Sequence, residues 1–520
     1  MTEFKLTKLQ NGSDIRGISL SGEPGQLPNL TDAEAERLSK GYLLWLCRKT
    51  GKSPEALTIS VGRDPRLSGN HLKNGIFMGM GPYGVTLLDC GLASTPAMFM
   101  STVFPEYNCD GAIMITASHL PYNRNGFKYF DKNGGLNKSD ISQIIAFAQS
   151  DQELAALGAP AHTHRQIHIL GKRSYPAREA DLMDTYCAHL RRMIQQGVNH
   201  PDSYEKPLTG LKIVVDAGNG SGGFYAKKVL APLGADISES QYLEPDGMFP
   251  NHAPNPEDKA AMESIAMKTL TKEADLGLIF DTDVDRSAAV DHRGREISRN
   301  GIVAMAAALV AGQHPGSTVV TDSITSDPLT VFLQEGLKLK HLRFKRGYKN
   351  VINKAIELNR EGVDCQLAIE TSGHAALKEN YFLDDGAYLA TKIVIKTAQL
   401  HREGKTLDSL IADLKQPAEA AEIRIPILAS DFSHYGDEIL KAMEEFAGQD
   451  PAMTVVAPNY EGIRIAFSHG WCLLRKSLHD PILPLNIESE KNGGCREIRD
   501  RIKVFLSAYN QLDLSALDRI

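Results

Sequence analysis

Short apolar runs alternate with stretches of helical period almost throughout the chain, and each run stops in a polar turn. Residues 111–119, GAIMITASH, are apolar up to that turn, the pattern of a strand buried on both faces. Apolar strand followed by polar turn recurs at 57–64 (LTISVGRD), 211–223 (LKIVVDAGNGSGG), 276–285 (LGLIFDTDVD), 317–323 (STVVTDS) and 365–374 (CQLAIETSGH). Strands alternating with helices predict βαβ units and largely parallel sheets. One helix start is well marked: Thr31 and Glu34 fit a capping box ahead of an apolar face of Leu38, Tyr42, Trp45 and Leu46. Gly51 is its expected stop.

The alternation weakens at 151–180, where His, Arg and Pro accumulate without a long period, and a boundary is expected near the end of that stretch. Further boundaries are expected near 298, after DHRGREIS, and near 420, within LKQPAEAAEIRIPI. These give four segments, 1–178, 179–297, 298–419 and 420–520: three α/β units of similar pattern and a shorter C-terminal α+β unit. A length of 520 residues agrees with that count at roughly 100–200 residues per domain. The net charge of −7 argues against a mainly electrostatic nucleic-acid binder and leaves local basic sites for small anions open. The seven cysteines are scattered with no C-x-x-C pair, so reduced, mostly buried thiols are expected in place of a disulfide framework or zinc site. No apolar stretch reaches the ~18 residues of a membrane span, and the first residues lack a signal-peptide core; a cytoplasmic protein without membrane or nucleic-acid partners is expected.

The polar turns sit at the carboxyl ends of predicted strands, where open α/β sheets bind ligands. In IFDTDVDRSA, Asp281, Asp283 and Asp285 alternate in one loop beside Arg286. Such carboxylates can converge on a hard cation such as Mg²⁺, or form a solvated acidic turn. An EF-hand is excluded, because its glycine and glutamate positions hold Arg286 and His292. A phosphatase with Asp281 as nucleophile remains a partial match. Ser118, directly after its strand, can cap a helix. It lies outside any G-x-S-x-G elbow, and it can also carry a phosphoryl group, which adds about −2 charge and calls for a nearby cation. Glu370, Ser372 and His374 around Gly373 suit sugar hydroxyls, or make an ordinary turn. In RKSLHDP, Arg475, Lys476, Ser477 and His479 suit a phosphate, or make a surface turn.

Taken in order, serine loop, acidic loop, sugar-like loop and phosphate-like loop resemble the α-D-phosphohexomutase family of phosphoglucomutases, phosphomannomutases and phosphoglucosamine mutases. The resemblance runs through SDIRG (13–17), VGRDPRLSG (61–69), TASHLPYNRNGFK (116–128), DAGNGSGG (216–223), PDGMFPNHAPNPE (245–257), DTDVDR (281–286) and ETSGH (370–374). It implies four domains around a central cleft. It also implies reversible exchange of hexose 1-phosphate and 6-phosphate, of glucose or mannose, through phosphoserine and a hexose 1,6-bisphosphate that also serves as primer. By resemblance Ser118 is the phosphoserine, and Asp281, Asp283 and Asp285 bind Mg²⁺ together with a Ser118 phosphate oxygen. Arg16, Arg286 and His119 stand by the phosphoserine, and Lys128 serves proton transfer or charge balance. Lys349, Glu370, Ser372 and His374 contact the sugar, while Arg475, Ser477 and His479 hold the phosphate that does not react. A monomer or homodimer is expected.

Some positions depart from the family pattern. Leu478 and His479 replace a Gly and Thr, Thr282 and Val284 stand where glycines are common, Leu120 replaces an Asn, and Ile369 precedes Glu370 where Gly is usual. Tyr348 stands in a turn where other members carry His. These changes leave the phosphoryl-transfer residues intact and bear on the choice of sugar. The alternatives are a hexose-1,6-bisphosphate synthase, a phosphoglucosamine mutase and a non-catalytic sugar-phosphate-binding paralogue.

Overall fold

A computed structural model describes residues 6–22, 25–159, 167–169, 172–477 and 480–519. The chain divides into two compact units, Met1–Leu309 with Ser372–Leu410, and Val310–Thr371 with Ile411–Ile520. This division cuts across the four segments expected from the sequence, since the chain leaves the second unit for the first between Thr371 and Ser372.

The first unit begins with a mixed sheet. Strand Thr58–Arg63 lies parallel to Thr86–Leu92 on one side and to Gly111–Ile115 on the other. Gly111–Ile115 then pairs antiparallel with Arg124–Asp131, and that strand with Asp14–Ile18. Arg178–Glu179 extends the far edge, parallel to Thr86–Leu92. All five residues of Gly111–Ile115 are buried, as their continuous apolarity requires. Helix Asp32–Thr50 starts on the expected capping box at Thr31 and ends at Gly51 in the left-handed conformation. Its face of Leu38, Tyr42 and Leu46 shares a core with Ile76, Ile113 and Ile144.

The second sheet runs Ile213–Asp216, Leu276–Phe280, Ser287–Asp291 and Glu296–Ile297, with the first pair parallel and the others antiparallel. Helix Lys259–Thr271 covers it through Met262 and Ile265, which join Val214, Ile279 and Val290. The hairpin Ala375–Leu377 and Leu383–Asp384 and helix Gly386–Arg402 complete this unit.

In the second unit, Thr318–Thr321 lies parallel to both Lys340–Arg343 and Cys365–Ile369. A separate antiparallel sheet follows, in the order Glu419–Pro426, Ile482–Ser489, Gly470–Leu474, Ile463–Phe467 and Thr454–Val455. Helices Phe432–Gln449 and Gly494–Leu506 bury Ile439, Met443, Ile498 and Ile502 against it. The architecture is three α/β domains with mixed sheets and a smaller C-terminal α+β region, the class expected from the alternation. The seven cysteines are all free thiols. Among the described residues, no helix is long and apolar enough to cross a membrane.

Candidate active site

Strand Gly111–Ile115 delivers Ser118 at its carboxyl end, with Thr116 and Ala117 fully buried before it. Ser118 N–H donates to Thr116 Oγ1 (2.9 Å), and its backbone is left-handed at φ 51°. Its hydroxyl donates to Asp281 Oδ2 (3.1 Å), accepts from Arg286 Nη2 (3.3 Å) and stands 3.3 Å from His119 Nδ1. Arg286 Nη2 donates to that same His119 nitrogen at 2.7 Å. Burial first, then Arg286 and Arg16, push His119 down to about 3, so it is a neutral acceptor at Nδ1.

Strand Leu276–Phe280 ends in the three aspartates, all at 0 % exposure. Their ligand oxygens lie within 4.8 Å of one another. Burial and the neighbouring carboxylates raise Asp283 well above the ordinary range and Asp281 to about 6. Asp285 goes the other way: burial opposes its charge, but Lys128, His374 and Arg286 together hold it ionised. Asp283 Oδ1 and Asp285 Oδ1 are buried without a hydrogen-bond partner among the described residues. Three buried carboxylates, two of them with orphaned oxygens, fit a hard divalent cation, which supplies the missing charge and takes oxygen donors.

Around the aspartates stand the other sequence-predicted groups of this unit. Lys128 Nζ lies 3.1 Å from Asp285 and 3.3 Å from Asp14, and Asp14 also pairs with Arg16 at 2.7 Å. His374 Nδ1 bonds Asp384 Oδ2 at 2.6 Å and lies 3.9 Å from Asp285 Oδ1. Burial opposes its charge, but Asp384 and Asp285 raise it to about 9. Ser372 is buried at the entry to this segment.

The second unit carries the remaining predictions. Glu370 is buried and accepts from Gly347 N at 2.6 Å, which ties the ETSGH loop to the turn before Lys349 in helix Tyr348–Arg360. Thr371 Oγ1 donates to Asp322 (2.8 Å), and Arg346 N to Glu461 Oε2 (3.1 Å). Arg475 is 8 % exposed, and its Nε is buried with no hydrogen-bond partner among the described residues. Burial and the neighbouring Arg346 lower its pKa. Glu461, Glu422 and Asp322 act on it in the opposite sense. The Ser477 hydroxyl accepts from Asp480 N (3.1 Å). Leu478 and His479 lie outside the described residues.

Sequence reasoning missed Arg66, Asp64, Thr95 and Asp384. Arg66 is 1 % exposed and donates to the carbonyls of Ser118 (2.5 Å), Leu120 (2.6 Å), Pro121 (2.6 Å) and Arg124 (3.0 Å), with Asp64 on its Nε at 3.0 Å. Nothing in the motif VGRDPRLSG says that its second arginine gathers carbonyls some 55 residues away. Thr95, between the helix-capping Ser94 and Pro96, donates through Oγ1 to Asp283, and its local sequence marks only the helix start.

The family models of phosphoglucomutase/phosphomannomutase α/β/α domains I, II and III match residues 7–155, 184–294 and 298–417. The chain is 28% identical over 460 residues to a phosphoglucomutase of Neisseria gonorrhoeae, covering 87% of this chain and 89% of that protein. It is also 28% identical to a phosphomannomutase/phosphoglucomutase of Pseudomonas syringae pv. tomato, covering 88% and 89%. A solved phosphoglucomutase/phosphomannomutase family protein of Burkholderia thailandensis shares the fold, with a TM-score of 0.75, 24% identity and 96% of each chain covered. With three successive domains matched in order along most of its length, the chain is an enzyme of the phosphoglucomutase/phosphomannomutase family.

Proposed function

We propose that the protein interconverts hexose 1-phosphate and hexose 6-phosphate, of glucose or mannose, with Ser118 as the phosphoryl carrier. The observation that carries this reading is the Ser118 hydroxyl held between Asp281 Oδ2 at 3.1 Å and Arg286 Nη2 at 3.3 Å, beside three buried carboxylates. In this reading segment 1–178 supplies the phosphoserine loop, 179–297 the metal loop, 298–419 the sugar loop and 420–520 the phosphate loop.

Asp281, Asp283 and Asp285 would hold Mg²⁺, which when bound neutralises phosphoryl charge. In the first transfer the bond from phosphorus to Ser118 Oγ breaks and a bond to the sugar hydroxyl oxygen forms; the hydroxyl proton ends on Ser118. In the second, Ser118 Oγ takes the other phosphoryl group of the hexose 1,6-bisphosphate, and the proton returns to the sugar. Arg286 donates to Ser118 Oγ throughout and stabilises charge on it. Lys128 and His374 keep Asp285 ionised and balance the cluster. Arg16 holds Asp14 on Lys128. Glu370, Ser372, His374 and Lys349 would read the sugar, while Arg475, Ser477 and His479 would take the distal phosphate. A trace of hexose 1,6-bisphosphate would prime Ser118.

Phosphorus NMR with Mg²⁺ and a bisphosphate trace tests this, giving glucose, mannose and glucosamine 1-phosphates in turn. Conversion of one sugar to its 6-phosphate, lost in Ser118→Ala, is expected. Absence of conversion, or phosphate trapped on Asp281, overturns it. A bisphosphate synthase is the second reading, motivated by Leu478 in the phosphate loop, where glycine permits close backbone approach. It requires free bisphosphate to accumulate during turnover.

A further inference from the structure

The loop 245–257, PDGMFPNHAPNPE, reaches the serine turn's supports at two points. The Phe249 ring lies 5.1 Å from the Arg66 guanidinium, and Phe249 itself is held at φ 50°. Gly247 lies so close to the turn at 65–67 that an added Cβ would stand 2.5 Å from Pro65 O. At the other end, Asn255 Oδ1 accepts from Arg286 Nη1 at 3.2 Å and from Glu257 N at 3.0 Å. Arg66 and Arg286 are the two arginines bonded to Ser118, one at its carbonyl and one at its hydroxyl.

The middle of the loop is anchored independently. His252 Nε2 lies 3.0 and 3.1 Å from the two oxygens of Asp216, and Nδ1 lies 2.9 Å from Ala253 O. Both partners only accept hydrogen bonds, so both ring nitrogens donate and the ring is an imidazolium. Asp216, fully buried at the end of its strand, is itself fixed by Gly218 N (2.8 Å) and Gln241 Nε2 (2.7 Å).

We propose that this loop is a brace for the phosphoserine turn: Phe249 and Asn255 are positioning residues for Arg66 and Arg286, and the Asp216–His252 pair fixes the brace. The proposal rests on the reading of Ser118 as phosphoryl carrier. Its cost when lost is a misplaced nucleophile, for which small displacements are worth orders of magnitude in rate.

The test is single-turnover transfer of labelled phosphate from glucose 1,6-bisphosphate to the full chain with Mg²⁺, alongside steady-state kinetics. Asn255→Ala, Phe249→Leu and His252→Gln are each expected to slow Ser118 phosphorylation about 10- to 100-fold. KM for the sugar phosphate is expected to stay unchanged, since none of the three is among the residues assigned above to the sugar or the distal phosphate. Asn255→Asp keeps the acceptor facing Arg286 and is expected to restore most of the rate. Phosphorylation at the wild-type rate in Asn255→Ala and Phe249→Leu overturns the brace. So does a rate loss that tracks loss of folded protein and is not restored by Asn255→Asp. If Asn255→Ala does not fold, Phe249→Leu and Asn255→Asp decide. Wild-type protein that takes no phosphate on Ser118 removes the functional reading, and the brace with it.

Discussion

Val284 sits between Asp283 and Asp285 with φ 68°, fully buried and in the left-handed region. A β-branched residue there is strained by about 1–3 kcal/mol and persists only where its surroundings overdetermine it. The holding group is Gly386, whose N–H donates to Val284 O at 3.1 Å. A Cβ on Gly386 would stand 2.5 Å from the Arg286 carbonyl carbon and 2.6 Å from its oxygen, both backbone atoms. Gly386→Ala is therefore expected to destabilise by about 2 kcal/mol or more. Turnover should fall too, because Arg286 moves off Ser118; thermal unfolding and kcat measure the two effects. Arg475 is a second case at this scale. Arg475→Gln removes a buried charge that the proposed function assigns to the distal phosphate, and is expected to raise KM for the sugar phosphate about 10- to 100-fold, with kcat changed less.

At the scale of elements, the C-terminal sheet carries a titrating group that the proposed reaction does not use. Glu488, on strand Ile482–Ser489, accepts from Trp471 Nε1 at 3.0 Å, and Arg464 stacks 3.6 Å over the same indole. Burial raises Glu488 to about 7, against the pull of Trp471 and Arg464. The folded state thus holds a proton that the unfolded chain has released, and stability falls as pH rises from the ordinary glutamate range to about 7. Glu488→Gln keeps an acceptor for Trp471 and cannot ionise. Its unfolding midpoint is expected to lose this slope and to exceed that of the wild type above neutral pH, as a melting series across pH reports. The capping box of helix Asp32–Thr50 is a simpler element-scale device, worth about 1 kcal/mol on Thr31→Ala.

For the molecule as a whole, the acidic cluster sets stability against activity. Asp283, fully buried beside two other carboxylates, is costly without a cation. Saturating Mg²⁺ is expected to raise the unfolding midpoint, with about 2.7 kcal/mol of added stability at a hundredfold excess over Kd. Asp283→Asn should abolish that shift and turnover, while the metal-free variant is as stable as metal-free wild type or more so. Chelator and Mg²⁺ titrations during melting separate these outcomes. The cluster lies in the unit of Met1–Leu309 and Ser372–Leu410, so the shift belongs to that unit's unfolding.

Local pattern alone determined much here. Unbroken apolarity at 111–115 and 276–280 points to buried strands, because a strand covered on both faces favours apolar residues along its whole length. Thr31, Glu34 and Gly51 mark one helix at both ends, because capping groups lie within four residues of the orphan backbone they satisfy. The order of the loops around Ser118, Asp281 and Glu370 was sufficient to indicate the family. What the tertiary structure decided is how distant loops meet. Thr95 caps Asp283 across 188 positions, Arg66 gathers carbonyls more than 50 positions on, and Asn255 meets Arg286 from a loop with its own anchor. These contacts depend on strand order and loop path, which no local period encodes. The left-handed Val284 belongs with them, because valine favours extended backbone and contacts from Asp281 and the distant Gly386 hold it otherwise.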